Sequence, residues 1–483
     1  MAGIIVAVAI VVFVVVLVAR TAMAKPPKSK MRPVEEGVDA QSAALHLSEI
    51  VKFKTISYAD RSAMDWGEFD RLHDYLEKAY PHIHARLAKE TTDMRFLIYH
   101  LEGSNPSLAP IALLAHQDVV PADEGEWSVP PFGGEIRDDY VYGRGTMDMK
   151  GQLIAVMESV ESLLAEGFCP ARGIYLLFGA DEEPMGEYGA GRVSKLLEER
   201  GIRLHFVLDE GCGMQDGKAM GVDGDVALVG LCEKGIMNLR FTARGHAGHA
   251  SMPPTKTPVG ELARAVEKIE KNQMKPEFNS AANAMFTTLT PYMNSKFKFL
   301  FANKWLFGEL LKRMLTKKPA MAALLRTTFA PTQLAGSNAP NVLAGKAEAV
   351  FNIRLAPGQT EDDVYAHVDH LTGGMERETV YYCPPSPVSG VDTQAYREVS
   401  AAVCDAFPEM AAVAPGMMIA ATDSRYYYNI CDNVFRFIPF PAAKEDMRRV
   451  HGRDERMQIE SLGRGIAFYK HLIRTTCGGK PEK

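Results

Sequence analysis

The sequence predicts an α/β fold in which helices cover a layered sheet, with a smaller α+β domain inserted into it. Short apolar runs at 111–115, 173–180 and 204–208 have the length of buried strands. A stretch at 151–166 places its apolar residues at helical spacing between the first two runs. Strand, loop and helix continue to alternate up to Asp209, which is typical of layered α/β sheets.

The other elements follow from the same patterns. Two amphipathic helices are expected before the first strands, and from about Glu233 an alternating, half-exposed strand marks the change to the inserted domain. After about Pro385 the chain returns to the main fold. The predicted elements are helices at 40–53, 65–79, 259–271, 361–370, 391–407 and 459–473, and strands at 95–101, 141–142, 236–243, 347–355 and 434–438.

Composition narrows the class of protein. The chain has 483 residues, of which 47% are apolar, enough for about two to four domains with real cores. Its net charge of −6, without a long basic block, argues against a nucleic-acid partner. Seven scattered cysteines form no CxxC pair, so they predict neither a disulfide framework nor a thiolate zinc site, and they leave the redox compartment open.

The amino terminus, residues 1–24, is predicted to be a signal peptide or a membrane anchor. Its unbroken apolar run at 4–19 is close to the length that spans a bilayer and slightly longer than a usual signal core. Ala22 and Ala24 form a small-x-small pair of the kind that a signal peptidase cuts. Basic residues follow the run, a bias that would place the body of a retained anchor in the cytosol. A polar, proline-containing linker is predicted at 25–37.

Polar side chains that can bind a metal follow the predicted strands. His116 and Asp118 end the first strand, and Asp118 lies on the same side of an extended chain, where it can orient the imidazole. Asp148 follows a second, shorter strand. Because sites in open α/β sheets gather at the carboxyl ends of strands, these residues are expected to lie together. Without a metal, the same segment would be a histidine hydrogen-bonded to a nearby aspartate.

Two further strands end in acids, Asp181-Glu182-Glu183 after the strand at 173–180 and Asp209-Glu210 after the strand at 204–208. Adjacent carboxylates repel one another strongly unless a cation lies among them, although a solvated turn is the alternative. Two imidazoles and three carboxylates suit zinc, and a carboxylate can bridge two ions. The candidate ligands are His116, Asp148, Glu183, Asp209 and His451.

Motifs around the first strand carry a resemblance to a known family. The residues concerned are His116-Gln117-Asp118-Val119-Val120-Pro121, Trp127, Pro130-Pro131-Phe132, Gly143-Arg144-Gly145, Asp148 and Lys150. They resemble the zinc exopeptidase family of carboxypeptidase S, carboxypeptidase G and the aminoacylases. The likeness is closest to the carboxypeptidase S branch, which includes the secreted N-fatty-acyl-amino-acid synthase/hydrolase, and it runs from about residue 40 to about 473. Met149 departs from the family, whose members often have a second acid there.

The resemblance implies a domain organisation. Residues 38–232 and 386–483 would form a zinc-exopeptidase-like layered α/β catalytic domain, and residues 233–385 would form an inserted α+β domain that serves as lid and dimer contact.

The resemblance also implies roles for the candidate ligands, with two Zn²⁺ in each subunit. Asp148 would bridge the two ions, and Glu182 would act as the general base. His116 and Asp209 would serve one ion, Glu183 and His451 the other, and Asp118 would orient His116.

In the lid, the resemblance implies that His249 stabilises the oxyanion in the site of the other subunit of a dimer. His246 is the poorer match to this family histidine. Asn341 and Arg354 resemble substrate-binding residues, and a guanidinium can fork onto a free carboxylate. By itself, Arg354 would be an ordinary surface arginine on a strand. Arg425 is a weaker match to a substrate-binding residue, because the loop before it lacks the glycines that relatives often have.

The segment at 297–315 interleaves aromatic residues with lysines. Its simplest interpretation is a helix that packs on the lid or on a partner subunit. The alternatives are an apolar wall for a long acyl chain and contact with a membrane surface.

The predicted function is that of a two-zinc carboxypeptidase or amidohydrolase. It would cleave the amide bond to an amino acid with a free carboxylate, in short peptides or in N-acyl and N-fatty-acyl amino acids, and would run backwards at high reactant concentrations. A dipeptidase or deacetylase of small polar substrates and a non-catalytic, tethered binding protein are the alternatives. We expect a secreted or membrane-anchored protein on the exported side, a homodimer through the lid, and membrane association through residues 4–19.

Overall fold

The computed structural model describes residues 1–27, 34 and 36–478, so most of the predicted linker at 25–37 lies outside the described residues. The helices are α1 (Ala2–Met23), α2 (Ala40–Val51), α3 (Trp66–Ala79), α4 (Pro81–Arg86), α5 (Lys150–Ala165), α6 (Ala190–Glu199), α7 (Pro258–Lys271), α8 (Ser280–Leu289), α9 (Ser295–Ala302), α10 (Lys304–Leu315), α11 (Pro319–Leu325), α12 (Glu361–Thr372), α13 (Gln394–Ala406), α14 (Lys444–Met447) and α15 (Ile459–Cys477). The strands are β1 (Ala88–Thr91), β2 (Leu97–Leu101), β3 (Ile111–His116), β4 (Ile136–Arg137), β5 (Tyr140–Tyr142), β6 (Ile174–Gly179), β7 (Phe206–Asp209), β8 (Met214–Asp216), β9 (Asp225–Glu233), β10 (Gly235–Arg244), β11 (Gly248–His249), β12 (Thr328–Ala335), β13 (Val342–Leu343), β14 (Lys346–Leu355), β15 (Glu376–Cys383), β16 (Ala412–Met418), β17 (Val434–Arg436) and β18 (Arg456–Gln458).

The chain divides into two compact units. The larger unit consists of Pro26–Leu231, Ser389–Gly416 and Thr422–Lys483, and the smaller unit consists of Met1–Lys25, Cys232–Val388 and Met417–Ala421. The smaller unit thus contains the N-terminal helix together with the insert. That the segment 233–385 acts as a lid stays a prediction.

A mixed sheet forms the centre of the larger unit. Its strand order is β1-β2-β6-β3-β7-β17-β9-β16, and β8 pairs with β9. The central strands β6, β3, β7 and β17 are parallel. Every residue of β3, β6 and β7 is buried, as expected for apolar runs that are covered on both faces. The predicted α/β class is confirmed.

Parallel pairing brings the carboxyl ends of the central strands to one edge of the sheet. His116 pairs with Gly179 across β3 and β6, and Asp209 pairs with Arg436 across β7 and β17. Helix α5 begins two residues after Asp148 and is held against β3 by a 3.0 Å hydrogen bond from Gln152 Nε2 to the carbonyl of Leu114. The candidate ligands therefore start from neighbouring strand ends and from one helix start.

The smaller unit contains an antiparallel sheet of order β12-β14-β10-β15. Alternate residues of β14 are buried, because one face of this sheet packs on α7 and α12 in a single apolar cluster. The aromatic segment predicted as one helix is two helices, since α9 and α10 are separated at Asn303.

Helix α1 has 22 residues and a mean hydropathy of 3.4 in its most apolar window. By length and composition it can cross a membrane, and a signal sequence meets the same criteria.

Candidate metal centre

Two groups of three side chains meet at the carboxyl edge of the large sheet. One group, named the buried group after His116, consists of His116, Asp148 and Glu210. The other, named the exposed group after His451, consists of Asp148, Glu183 and His451. Within each group the possible ligand atoms all lie within 4.8 Å of one another. Asp148 belongs to both groups, so its two oxygens face two neighbouring positions.

His116 is the last residue of β3, and contacts between its Nδ1 and Asp118 orient its ring. Its Nδ1 lies 2.9 Å from the backbone oxygen of Asp118 and 3.5 Å from the carboxylate. Its Nε2 therefore faces Asp148 Oδ1 at 3.0 Å and Glu210 Oε1 at 3.4 Å. Burial opposes the charged imidazole, but hydrogen bonds with three carboxylates outweigh it and hold the pKa of His116 well above its ordinary value.

Asp118 connects the histidine with the acidic turn that follows β6. Its carboxylate accepts hydrogen bonds from Ser57 Oγ at 2.6 Å, from the Glu182 amide at 3.2 Å and from the Glu183 amide at 3.1 Å. Burial alone would raise the pKa of Asp118, but its hydrogen bond with His116 and the charge of that imidazole hold the pKa below its usual range. One buried carboxylate thus sets the direction of the imidazole and of the backbone that carries two acids.

The loop before Asp148 is organised by a buried carboxylate from the far end of the chain. Glu455 accepts hydrogen bonds from the amides of Gly145, Met147 and Asp148 at 3.1, 2.8 and 3.1 Å. It also accepts a hydrogen bond from Arg144 Nη1 at 2.6 Å. In this ion pair each side chain is at most 3% exposed. The position of Asp148 therefore depends on a residue about 300 positions away in sequence.

His451 is held in a different way, on an irregular loop. It has a left-handed backbone, with φ of 59°, and its side chain is 50% exposed. Its Nε2 lies 3.1 Å from Asp148 Oδ2 and 3.2 Å from Glu183 Oε1. Hydrogen bonds with these two carboxylates raise the pKa of His451 to about 10, against the opposing effect of partial burial. Arg144 Nη2 donates to the carbonyls of His451 and Gly452 at 3.1 and 3.0 Å, which pins the loop.

The electrostatics of the site fit a divalent cation. Burial, with the nearby charge of Asp148, raises the pKa of Glu210 to about 8. Burial also raises the pKa of Glu182, and the charges of Glu210 and Asp423 add to this while that of His116 opposes it. Zinc binds neutral imidazoles and ionised carboxylates, so it would relieve this crowding of acids.

The structure adds a candidate ligand directly after Asp209. The Asp209 carboxylate accepts the backbone amides of Glu210 at 2.9 Å and of Ser424 at 2.9 Å, and it belongs to neither ligand group. Glu210, one residue later, has its Oε1 3.4 Å from His116 Nε2. Glu210 is therefore a further candidate ligand, and the ligand role of Asp209 stays a prediction. Successive residues beyond a strand end point in different directions, and the sequence alone did not decide between two adjacent acids.

Glu182 lies beside the ligand groups without belonging to either. Its Oε2 is 3.9 Å from His116 Nε2, and its side chain is 14% exposed. It is therefore an acid next to the ligands rather than one of them.

The remaining predicted site residues, which were assigned to the substrate, are distant from one another in sequence. In the smaller unit, strands β11 and β13 pair His249 with Val342, and Ala250 donates to the carbonyl of Asn341 at 3.0 Å, so His249 and Asn341 are neighbours. His249 is exposed, and its Nδ1 lies 2.8 Å from Ser251 Oγ. The other two predicted residues are Arg354, which lies on β14 and donates to Asn352 Oδ1 at 3.1 Å, and Arg425, which lies in the turn Asp423–Asn429 of the larger unit.

Sequence reasoning missed Glu210, Glu455, Ser57 and the structural role of Arg144. The pair Asp209-Glu210 was a visible signal for the first. Nothing local marks Ser57 or Glu455, because their partners are distant in sequence.

The sequence matches peptidase family M20/M25/M40 over residues 112–475. The chain belongs to this family. It is 36% identical to "Probable carboxypeptidase S-like 2" of Dictyostelium discoideum over 90% of this chain and 85% of that protein. It is also 36% identical to the "N-fatty-acyl-amino acid synthase/hydrolase PM20D1" of Xenopus tropicalis, over 89% of this chain and 85% of that protein. The predicted family is thereby confirmed.

Solved structures support the same fold. An M20 family metallo-carboxypeptidase from Sulfolobus solfataricus superposes with a TM-score of 0.64 at 17% identity, covering 89% of this chain and 98% of that one. Human carnosine dipeptidase 1 superposes with a TM-score of 0.60 at 16% identity, covering 90% and 96%. Family membership and the ligand groups together make this protein a metal-dependent hydrolase of the peptidase and amidohydrolase class, as predicted.

Proposed function

We propose that this enzyme uses two zinc ions to hydrolyse the amide bond between an acyl group and an amino acid with a free carboxylate. The observation that carries the proposal is the pair of ligand groups that share Asp148, with Glu182 beside them. His116 and Glu210 would hold one ion and Glu183 and His451 the other. When bound, zinc polarises a carbonyl and makes water more acidic.

Glu182 is the proposed general base. Its carboxylate lies beside the ligand groups without belonging to either, with Oε2 3.9 Å from His116 Nε2. It would take a proton from the attacking water and return it to the leaving nitrogen. General acid–base catalysis of this kind contributes about a hundred- to ten-thousand-fold in rate.

Residues of the smaller unit are proposed to recognise the substrate. Arg354 would form a bidentate pair with the free carboxylate of the substrate, and His249 and Asn341 would contact the developing oxyanion or the amide. The adjacency of His249 and Asn341 across β11 and β13 supports a shared role. Arg425 is proposed as a further substrate contact. A homodimer through the 233–385 segment and a secreted or membrane-anchored location on the exported side complete the proposal.

The proposed substrates are N-fatty-acyl amino acids and the C-terminal bonds of peptides. The names of the two relatives cited above support these two classes. With high concentrations of fatty acid and amino acid, the same site would form the amide.

An activity panel tests the proposal. The full chain, loaded with zinc, is assayed on N-oleoyl-phenylalanine, N-acetyl-phenylalanine and a dipeptide, with and without a chelator. We expect hydrolysis of the oleoyl substrate that the chelator abolishes. Faster hydrolysis of N-acetyl-phenylalanine or of the dipeptide would instead support the small-substrate alternative.

The variant Glu182→Gln tests the base. We expect it to lose about a hundred- to ten-thousand-fold in turnover while binding the same amount of zinc. The matched control is Glu187→Gln, which changes an exposed acid of the same turn and should leave turnover unchanged. Near-normal turnover of Glu182→Gln would refute its role.

A further inference from the structure

The smaller unit carries a strongly basic segment that the metal centre does not use. Residues 295–318 contain seven lysines and arginines and a single acid, Glu309, in a chain whose net charge is −6. The segment forms α9, α10 and the turn that follows. A local excess of positive charge within an acidic protein is typical of a surface that meets an anionic partner.

The large apolar residues of this segment fall into two sets. Phe301 is buried and stacks on Phe286 with ring centroids 4.6 Å apart, so it belongs to the core of the smaller unit. By contrast, Trp305, Leu306 and Leu310 of α10 are 57%, 43% and 47% exposed. Packing accounts for the first set but leaves a row of large apolar side chains on the outside.

Helix α1 lies directly on these helices. Asn303 Nδ2 donates to the carbonyl of Leu17 and to Thr21 Oγ1, both at 3.2 Å. Arg20 Nε donates to the carbonyl of Ala302 at 3.1 Å, and Leu17 is the one residue of α1 that is buried. The C-terminal half of α1 is thus joined to the junction of α9 and α10, while most of its apolar surface stays exposed.

The spacing along α1 matches the depth of an interfacial helix. Trp305 meets Phe13 edge to face, with centroids 6.0 Å apart, and Phe13 precedes Arg20 by seven residues. At about 1.5 Å per residue, Trp305 lies about 10 Å along the helix from Arg20. Arg20, Lys312 and Trp305 line one groove of about 960 Å³ near the end of α1. If these cations mark the headgroup level, Trp305 lies at the roughly 5–10 Å depth to which interfacial helices bury their apolar faces.

We propose that α9 and α10 form a surface, called the shelf, that inserts into the interface of an anionic lipid bilayer. It would lie next to α1, which would be a retained membrane anchor. The exposed Lys296, Lys317 and Lys318 would contact lipid headgroups. Trp305, Leu306 and Leu310 would enter the interface. A second copy of the same face is a poorer occupant, because two strongly basic surfaces repel each other.

Depth-dependent quenching tests the proposal on the full chain. The protein has three tryptophans, so W66F/W127F leaves Trp305 as the only one. In vesicles of phosphatidylcholine and phosphatidylserine with brominated acyl chains, we expect Trp305 emission to fall by about half or more, as for an interfacial side chain. The control W127F/W305F retains Trp66, which packs on Phe69 in the larger unit and should keep its emission. Unquenched Trp305 would overturn the proposal, as would quenching by soluble brominated fatty acid alone.

A charge variant separates the shelf from the anchor. K296Q/K298Q/K317Q/K318Q should remove the dependence of Trp305 quenching on phosphatidylserine. The matched control K78Q/K195Q/K218Q/K444Q removes four exposed lysines of the larger unit and should retain that dependence. An equal loss in both variants, or equal quenching of the unmodified chain in neutral and anionic vesicles, would contradict the proposal.

Mass spectrometry tests the anchor itself. Chain isolated from the cells that express it should retain residues 1–23. A mature chain that begins after Ala24 would overturn the role of α1.

Discussion

His116 and His451 contact opposite oxygens of the same carboxylate, Asp148, yet 1% of the His116 side chain is exposed against 50% of the His451 side chain. His116 ends a fully buried parallel strand, whereas His451 lies on a loop with a left-handed backbone. The buried group is therefore held by the sheet, and the exposed group is held by hydrogen bonds from Arg144 to its loop. We expect the first to keep its ion tightly and the second to exchange it more readily.

The largest effect should come from the residue common to both groups. Asp148→Asn removes the shared charge, so we expect both ions to be lost and turnover to fall by more than about ten-thousand-fold, toward the uncatalysed rate. Metal content by mass spectrometry, together with the activity assay, measures this. The exposed Asp223→Asn is the matched control. Two bound ions in Asp148→Asn would contradict the shared site.

Replacing each of the two histidines should change the metal content in a different way. His116→Asn leaves Glu210 and Asp148 buried without their imidazole, so we expect loss of the buried ion and of folding stability. His451→Asn should lose only the exposed ion and retain about one ion per chain, with turnover reduced about a hundred-fold. Metal counting on both variants is the measurement. If His451→Asn lost both ions, the two groups would not be independent.

The buried ion pair beneath both groups gives a third test. Glu455→Gln leaves Arg144 uncompensated, and breaking a buried pair costs about 3–5 kcal/mol. We expect urea unfolding at a correspondingly lower midpoint. The control Glu460→Gln changes an exposed acid at the start of α15 and should not move the midpoint. A midpoint unchanged in Glu455→Gln would show that this pair does not organise the loops.

The smallest effect should come from Ser57→Ala, which removes the hydroxyl that donates to Asp118 at 2.6 Å. Hydrogen bonds that support the residues around a metal ligand contribute about ten- to a hundred-fold in metal affinity. We expect a loss at the lower end for the buried group and a smaller loss for the exposed group, since Asp118 also accepts the Glu183 amide, as measured by competition with a chelator. Equal losses at both would mean that Asp118 supports the whole site rather than His116 alone.

Much of this site was predictable because several of its residues directly follow short apolar runs. The runs at 111–115, 173–180 and 204–208 are continuous and short, so their strand character needed no tertiary information. The ligand positions at His116 and Glu183 followed from strand ends. The position of His451 depended on the family resemblance, since its loop has no local signature.

Other parts were outside the reach of local patterns. The aromatic segment at 297–315 was expected to be one helix, and its break at Asn303 coincides with contacts to Leu17 and Thr21 of α1. Exposed Trp305 and buried Phe301 look alike in sequence, and only packing separates them.

By itself, the sequence determined the fold class, the family and most of the ligand types, because burial and strand order follow from local apolar patterns and the motifs are local too. Tertiary structure alone decided that Glu210 faces His116, and that Glu455 and Arg144 join the loops of Asp148 and His451. The physical reason is that side-chain direction and long-range hydrogen bonds depend on backbone geometry set by residues far away in the chain.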